Sequence, residues 1–452
     1  MLPTIDLNFS KENALPHDVF GLIYRDWKPT PEEGVMVFLQ GLEKRGENNL
    51  RKRIYFSAVT PDLYKPMYRA KVTAFFDKLL DQQFADRPFM RHYLDHYFDL
   101  YWDLHLGLVG SDIPREVREI GEAFNTVFAY RDPLLPITYH NYMKVRELQD
   151  FLKSWIGERI SDIQSGKTKN PERTMAWHWL KNAQDGGHFS KKDMVVECLH
   201  DFVALSQWGN TIFRVMSLLS EDRGDQAVRA SFQKTMSGNF DTAGGAYFSP
   251  LELFVMELFR VISPNGGSVS TIHDARSSVH GGSPQQKFGI PFERDSYVST
   301  PHTSTSLDPV HWTDPNMFDP QRYLRVPTSA QINDDKCRQI GLARCPFDIT
   351  NFKVKDGRNA RITNSGFGTL FVVADERSYP VCDYAGFAPF GFGYRRCAGE
   401  QLTILVFEDF LRKVWRDKIV FRKLDLANPA RVPVGLDAVI QDDIGFNRFP
   451  LR

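Results

Sequence analysis

The stretch Lys191 to Ser220, KKDMVVECLHDFVALSQWGNTIFRVMSLLS, runs thirty residues without a proline and is apolar on most faces. A helix at a protein surface keeps one polar face, so a helix that is apolar nearly all round has to be surrounded by other elements. The run therefore predicts a long buried helix, and with it a large, mainly α domain able to enclose it. The chain is long enough: 452 residues hold two to four ordinary domains or one large helical enzyme domain, at about 100–200 residues per domain.

Residues 50 to 260 share that character, with Leu, Phe and Tyr alternating with charge and with Pro or Gly mostly at joints such as Gly110, Pro114, Pro133 and Gly157. After residue 262 the composition shifts. SPNGGSVSTIHDARSSVHGGSPQQ is rich in Gly and Ser, and short β-type runs with turn signals follow as far as residue 390. Helical periodicity returns in QLTILVFEDFLRKVW, residues 401 to 415, and the tail reads as short strands and turns. The fold class expected is mainly α, of the α+β kind with small β sheets.

Charged residues make up 25% of the chain and hydrophobic ones 42%, which is the composition of a folded soluble protein. The 56 basic and 56 acidic side chains cancel, leaving no global field to hold a nucleic acid. Apolar stretches are broken by charge well short of the ~20 residues a transmembrane helix needs, and MLPTIDLNFSKENALPHD lacks a signal-peptide layout, so the expected compartment is the cytoplasm. Cys198, Cys337, Cys345, Cys382 and Cys397 are an odd, sparse set with no CxxC pair, which argues against a disulfide framework and a thiolate zinc site.

One of these cysteines sits in an unusual context. In Phe390-Gly-Phe-Gly-Tyr-Arg-Arg-Cys397-Ala-Gly399 glycines flank a cysteine that immediately precedes a predicted helix. Glycines let the backbone pass close to a flat ligand, while arginines and a helix N-terminus favour a negative sulfur. Spacing alone is equally compatible with a small buried cysteine in a Gly-rich turn. The string, however, resembles the haem-binding signature FxxGxRxCxG of the cytochrome P-450 family and matches its fixed positions at Phe390, Gly393, Arg395, Cys397 and Gly399. The resemblance implies haem b, with Cys397 as axial iron ligand, Arg395 as a partner of a haem propionate, and Phe390 as a packing neighbour of the thiolate. It also implies the family fold, a helical bundle around a buried haem with small β sheets, as one domain over 1–452.

Two further motifs follow the family order. Met256-Glu257-Leu-Phe-Arg260 matches the ExxR helix, and FDPQRY, Phe318 to Tyr323, resembles the PERF-type element with its arginine at Arg322. Taken alone, Glu257 and Arg260 are a commonplace i, i+3 ion pair. By the resemblance, Glu257, Arg260 and Arg322 form a buried structural triad. The long helix would supply oxygen chemistry at Asn210 and Thr211, where the family usually has an acid followed by a threonine. Thr211 keeps the hydroxyl that can hold bound dioxygen and relay a proton, whereas Asn210 cannot donate a carboxyl proton. A polar notch satisfied by backbone bonding is the alternative for this pair. Gln207 lies on the same helical side and could cooperate with Asn210 or face another helix.

Asn49-Leu-Arg51-Lys52-Arg53 resembles the family's basic, propionate-facing helix, which makes Arg53 and then Arg51 candidates for haem contacts, although Asn49 replaces the usual Trp or His and a solvated basic face is the alternative. His273 and Arg276 are further propionate candidates. His92 and His96, near Asp95 and Asp99, have metal-like i, i+4 spacing, but the alternation of aromatic and charged residues there suits a core helix with a wet face, and no glutamate completes HExxH. Gly391 and Gly393 do not make a dinucleotide fingerprint, because Arg396 stands where its third glycine belongs.

Relative to the family, residues 1–45 form a shortened or divergent N-terminal region and 325–385 an insertion before the cysteine loop. The expected activity is that of a soluble haem-thiolate monooxygenase oxidising an apolar or amphipathic, lipid-like small molecule with dioxygen. Electrons would come from a separate ferredoxin or flavodoxin type partner, which Arg396, Arg412 and Lys413 could attract. The alternative is a haem-thiolate isomerase or lyase that rearranges a lipid hydroperoxide without dioxygen or redox partner. A haem-binding sensor or carrier without turnover is a third class.

Overall fold

In the computed structural model of the chain, the residues described are 9–10, 51, 54–55, 57–85, 89–129, 136–183, 189–205, 208–222, 224–242, 249–263, 267–272, 297–301, 304, 306–309, 312–325, 371–374, 377–380, 387, 389–390, 397, 399–423 and 444–448. Along the chain they form β1 (Phe9–Ser10), α1 (Arg69–Leu79), α2 (Phe89–Leu106), α3 (Arg115–Ala129), α4 (Pro136–Gln164), α5 (Met175–Ala183), α6 (Lys191–Leu205), α7 (Trp208–Leu219), α8 (Gln226–Ser237) and α9 (Pro250–Ile262). There follow β2 (Gly267–Ile272), β3 (Tyr297–Pro301), a 3-10 helix (Pro320–Arg325), β4 (Phe371–Ala374), β5 (Arg377–Pro380), α10 (Glu400–Arg416), β6 (Ile419–Lys423) and β7 (Ile444–Arg448). The contacts divide the chain into two units, 1–14 with 38–56 and 230–404, and 15–37 with 57–229 and 405–452.

The second unit is built on aromatic packing. Tyr93, Tyr97 and Tyr101 of α2 recur at i, i+4 and i+8, so they project onto one side of the helix, and with Trp102 they are all buried. There they meet Phe202 of α6, with ring centroids 5.0 Å from Tyr101 and 5.1 Å from Trp102, and Trp102 stands edge-on to Trp155 of α4 at 4.9 Å. The phenol of Tyr97 donates to the Phe202 carbonyl at 2.8 Å, so the buried hydroxyl is satisfied. Gly121 lets α3 come close: a Cβ there would stand 2.6 Å from both Phe202 Cζ and Phe98 Cε1. The strands β6 and β7 pair antiparallel from Ile419↔Arg448 to Lys423↔Ile444, and the Phe421 carbonyl accepts the Glu221 N–H at 3.0 Å, tying β6 to the chain leaving α7.

The thirty-residue run is described as α6 and α7, on either side of residues 206 and 207, which lie outside the described residues. Both helices are largely buried, as their composition requires. His92 and His96 belong to aromatic packing. The His92 ring stacks on Phe84 at 3.7 Å, meets His96 edge-on at 4.6 Å, and has Nε2 3.3 Å from the Lys78 carbonyl. Asp95 is exposed and Asp99 pairs with Arg118 at 2.6 Å, which is the wet face expected of that helix.

The first unit carries a three-stranded antiparallel sheet in the order β1-β2-β3, with β2 and β3 in register from Gly267↔Pro301 to Thr271↔Tyr297, and the antiparallel pair β4-β5. Helix α9 starts on a capping box: Ser249 accepts the Glu252 N–H, the Glu252 side chain accepts the Ser249 N–H, and Pro250 takes the first turn, where its missing N–H costs nothing. Among the described residues no helix is long and apolar enough to cross a membrane.

Candidate functional site

Every residue of α9 from Leu251 to Arg260 is buried, so Glu257 and Arg260 are not the surface pair that their spacing alone would suggest. One turn of helix separates them, and both side chains lie on the side where the 3-10 helix Pro320–Arg325 arrives. Arg260 donates Nε to Glu257 Oε2 and Nη2 to Oε1, each at 2.8 Å, the parallel two-bond geometry that a planar guanidinium makes with a carboxylate. Arg322 adds Nε to Oε1 at 2.9 Å. Glu257, Arg260 and Arg322 are therefore brought together, with Glu257 and Arg260 at 0% exposure and Arg322 at 6%.

Two partners of this carboxylate went unread in the sequence. The phenol of Tyr323, adjacent to Arg322, donates to Glu257 Oε2 at 3.1 Å, and the Asp319 N–H donates to Oε1 at 2.9 Å. Further guanidinium hydrogens go to backbone: Arg260 to the carbonyls of Ser306, Pro315 and Met317, and Arg322 to those of Thr313, Asp314 and Met317. Trp312 lies 5.7 Å from the Arg260 and 5.4 Å from the Arg322 guanidinium carbon, so one indole face covers both cations. Burial pushes the Tyr323 phenol well up from its ordinary pKa of 10.0, with the Glu257 charge acting the same way, so Tyr323 is a neutral donor. The one hint in the sequence was the Arg-Tyr adjacency in FDPQRY.

From this cluster aromatic contacts reach the cysteine loop. Tyr323 meets Phe387 edge-on at 5.8 Å, and Phe259 of α9 meets Phe390 edge-on at 5.3 Å. The Cys397 N–H donates to the Phe390 carbonyl at 2.8 Å, which closes the loop between two candidate site residues. Phe390 is buried; Cys397 is exposed and in no disulfide. Three residues later α10 begins, its first turn closed by the Thr403 N–H on the Gly399 carbonyl at 2.9 Å. A soft sulfur donor thus stands ahead of a helix N-terminus, on a loop whose Phe390 packs on Phe259 of the helix that carries Glu257. That donor fits a haem iron, for which a thiolate axial ligand is one of the few protein ligands in use. Arg51, in the same unit, is buried at 7% exposure. Gly393, Arg395, Arg396, Arg53, Gln207, His273 and Arg276 lie outside the described residues.

Asn210 and Thr211 sit in the first turn of α7, both buried at 4% and 2% exposure among Trp208, Ile212, Phe213 and Val215. Phe89 of α2 packs on Phe213 at 6.4 Å. An amide and a hydroxyl are thus set side by side in an apolar helix.

The expectation that Arg412 and Lys413 present charge to a partner is corrected. Arg412 donates to Asp409 at 2.7 Å and to Glu408 at 2.9 Å. Lys413 is 5% exposed and pairs with Asp77 and, at 2.6 Å, with Asp417. Glu408 and Asp409 on α10, Asp417 just after it, and Asp77 on α1 neutralise both charges, so neither forms an open positive patch.

No family profile matches the chain, and no curated protein matches it. Solved structures do. Over 98% of this chain and 86% of the other, it is similar to a retinoic-acid-bound cyanobacterial CYP120A1, at 15% identity and a TM-score of 0.57. It matches cytochrome P450 OleT in complex with arachidonic acid at 14% identity and a TM-score of 0.54, over 98% of this chain and 85% of the other. Cytochrome P450EX alpha with myristic acid matches at 13% identity and a TM-score of 0.51, over 89% and 78%.

Proposed function

Since the chain has the cytochrome P450 fold, we propose that it is a haem-thiolate monooxygenase acting on an apolar or amphipathic, lipid-like molecule, with dioxygen and electrons from a separate redox protein. The observation that carries this reading is the exposed Cys397 sulfur at the start of α10, held by the Phe390–Cys397 hydrogen bond and braced through Phe390 and Phe259 to the Glu257 cluster. Haem, when bound, supplies the redox chemistry. Cys397 Sγ would hold its iron, and Phe390 would pack beside that sulfur. Arg395 and Arg53 would take the propionates, and Gly393, without a side chain, would leave the ring room beside the loop. Glu257, Arg260 and Arg322 hold the loop's foundation and do not touch substrate.

Thr211 is the proton relay, since its hydroxyl both donates and accepts. Asn210 orients: an amide offers two N–H donors and an acceptor oxygen, but it has no acidic proton to give. Three similar structures hold retinoic, arachidonic and myristic acid, which supports a long-chain carboxylic acid as the substrate class here. The test is the carbon monoxide difference spectrum of the reduced protein. Cys397→Ala loses the thiolate-type band and retains haem poorly; a variant keeping both overturns the ligand assignment.

A second reading rests on Asn210. A buried amide in place of an acid suits the orientation of a hydroperoxide, so the chain would rearrange a lipid hydroperoxide as an isomerase or lyase without dioxygen or reductant. Purified ferric protein given fatty-acid hydroperoxides anaerobically, without reductant, decides between the two. Fast conversion to rearranged products establishes the second reading, and intact hydroperoxides leave the first.

A further inference from the structure

Outside the cysteine loop and α7, one group of side chains among the described residues has the composition and spacing of a metal site. On α6, Glu197, His200 and Asp201 follow one another at i, i+3 and i+4, so one helix face carries two carboxylates and an imidazole, with one ligand atom of each within 4.8 Å of the others. His200 Nδ1 lies 2.9 Å from Glu197 Oε1 and 3.6 Å from Asp201 Oδ1. These spacings bracket the ~3.4 Å between neighbouring ligand atoms of a tetrahedral ion with bonds of about 2.1 Å. One N–H on Nδ1 can serve only one of the two carboxylates well, whereas a dication placed between the three serves all of them.

The surroundings are those that ligating groups have. The other oxygen of Asp201, Oδ2, lies 3.2 Å from His105 Nε2 of α2, and the opposite nitrogen of that ring, Nδ1, lies 3.0 Å from the Tyr101 carbonyl. His105 is 0% exposed and stacked on Tyr101 at 4.1 Å, so it holds Asp201 in place in the way outer-shell groups hold a ligating carboxylate. The phenols of Tyr97 and Tyr101 donate to the Phe202 and Cys198 carbonyls, which pins the α6 backbone between the donor residues. Glu197 and Asp201 are 1% and 3% exposed, while the His200 side chain at 22% keeps a route for an ion to enter.

We propose that Glu197, His200 and Asp201 form a site for a divalent transition-metal ion of the zinc class, distinct from Cys397, with His105 as the buried group that positions Asp201. The mixed nitrogen and oxygen donors favour zinc over magnesium or calcium, which take all-oxygen ligands. All three ligands belong to the helix that precedes Asn210 and Thr211, so the ion would staple α6 and, through His105, fasten it to α2.

The test uses the full chain as purified, stripped with a chelator and titrated with Zn²⁺ by equilibrium dialysis, with melting temperature followed in parallel. One saturable equivalent and a higher melting temperature are expected, with both effects lost in His200→Ala, whose partly exposed side chain can be removed without opening the core. Uptake equal in His200→Ala, uptake lost instead in His92→Gln, or Mg²⁺ binding as well as Zn²⁺ overturns the site. The carbon monoxide spectrum of the reduced His200→Ala protein should match that of the parent, so this result stands apart from the Cys397 assignment.

Discussion

Replacing Glu257 by Gln keeps the volume of the side chain and removes its charge, so no cavity forms and the cost is electrostatic. In the parent, five donors converge on one carboxylate: two from Arg260, one from Arg322, the Tyr323 phenol and the Asp319 N–H. A glutamine keeps an acceptor where Oε1 stood and serves Arg260 Nη2, Arg322 and Asp319. Where Oε2 stood it presents an NH2 group, which meets the Arg260 Nε–H donor to donor, while the Tyr323 hydroxyl can turn round and accept. Two guanidiniums at 0% and 6% exposure are left with carbonyl oxygens and, for Arg260, only the weaker field of Asp319 as counter-charge. Breaking a buried pair in this way costs ~3–5 kcal/mol, because the residual charge stays desolvated. Against a total stability of ~5–15 kcal/mol this is a large share, and the holoprotein should unfold at a far lower urea midpoint and lose its thiolate-type spectrum on mild warming. Tyr323→Phe removes a single hydrogen bond to the same carboxylate and should cost about 1.5–3 kcal/mol. The two effects should fall short of additivity when combined, since both act on one oxygen. A loss below about 1 kcal/mol for Glu257→Gln, measured by urea unfolding, would refute the view that the carboxylate holds this cluster together.

Asn210→Asp separates the two functional readings: a monooxygenase should tolerate the acid or couple oxygen better, whereas a hydroperoxide-rearranging enzyme should lose its product, as product analysis by mass spectrometry will show. Gly121→Ala should destabilise by ~1–3 kcal/mol, since the added methyl overlaps Phe98 and Phe202 in a packed core; an unchanged urea midpoint would contradict that packing. Burial lowers the pKa values of His92, His96 and His178 below their ordinary 6.5, so the neutral rings favour the folded state. Their contribution is present above pH 6.5 and is lost as pH falls through the depressed folded values. Melting temperature should therefore drop as pH is lowered from 6.5, less steeply in His92→Gln, and an equal slope in that variant would count against His92.

The cysteine loop, the ExxR pair and the PERF-like arginine were legible in the sequence because each is a local pattern whose spacing is fixed by the helix or turn that carries it. The α-rich half and the short strands after residue 262 were legible for the same reason. What surrounds those patterns was not. Trp312, the Asp319 N–H and the carbonyls of Ser306, Pro315 and Met317 lie 46 to 62 residues from Arg260 or Glu257 on α9, and no periodicity links them. Lys413 shows the converse. Its neighbours in sequence suggested a basic surface, yet Asp77, 336 residues away, lies against it and the side chain is buried.

By itself the sequence determined the helical class, the sulfur at Cys397 and the identity of the charged groups Glu257, Arg260 and Arg322, because propensity, periodicity and motif spacing act over a few residues. Tertiary structure alone decided which charges are buried, which carbonyls satisfy them, that Tyr323 completes the carboxylate's shell, and that His105 meets Asp201 across two helices. Those outcomes depend on desolvation and on close packing between distant segments, which exist only once the chain has closed on itself.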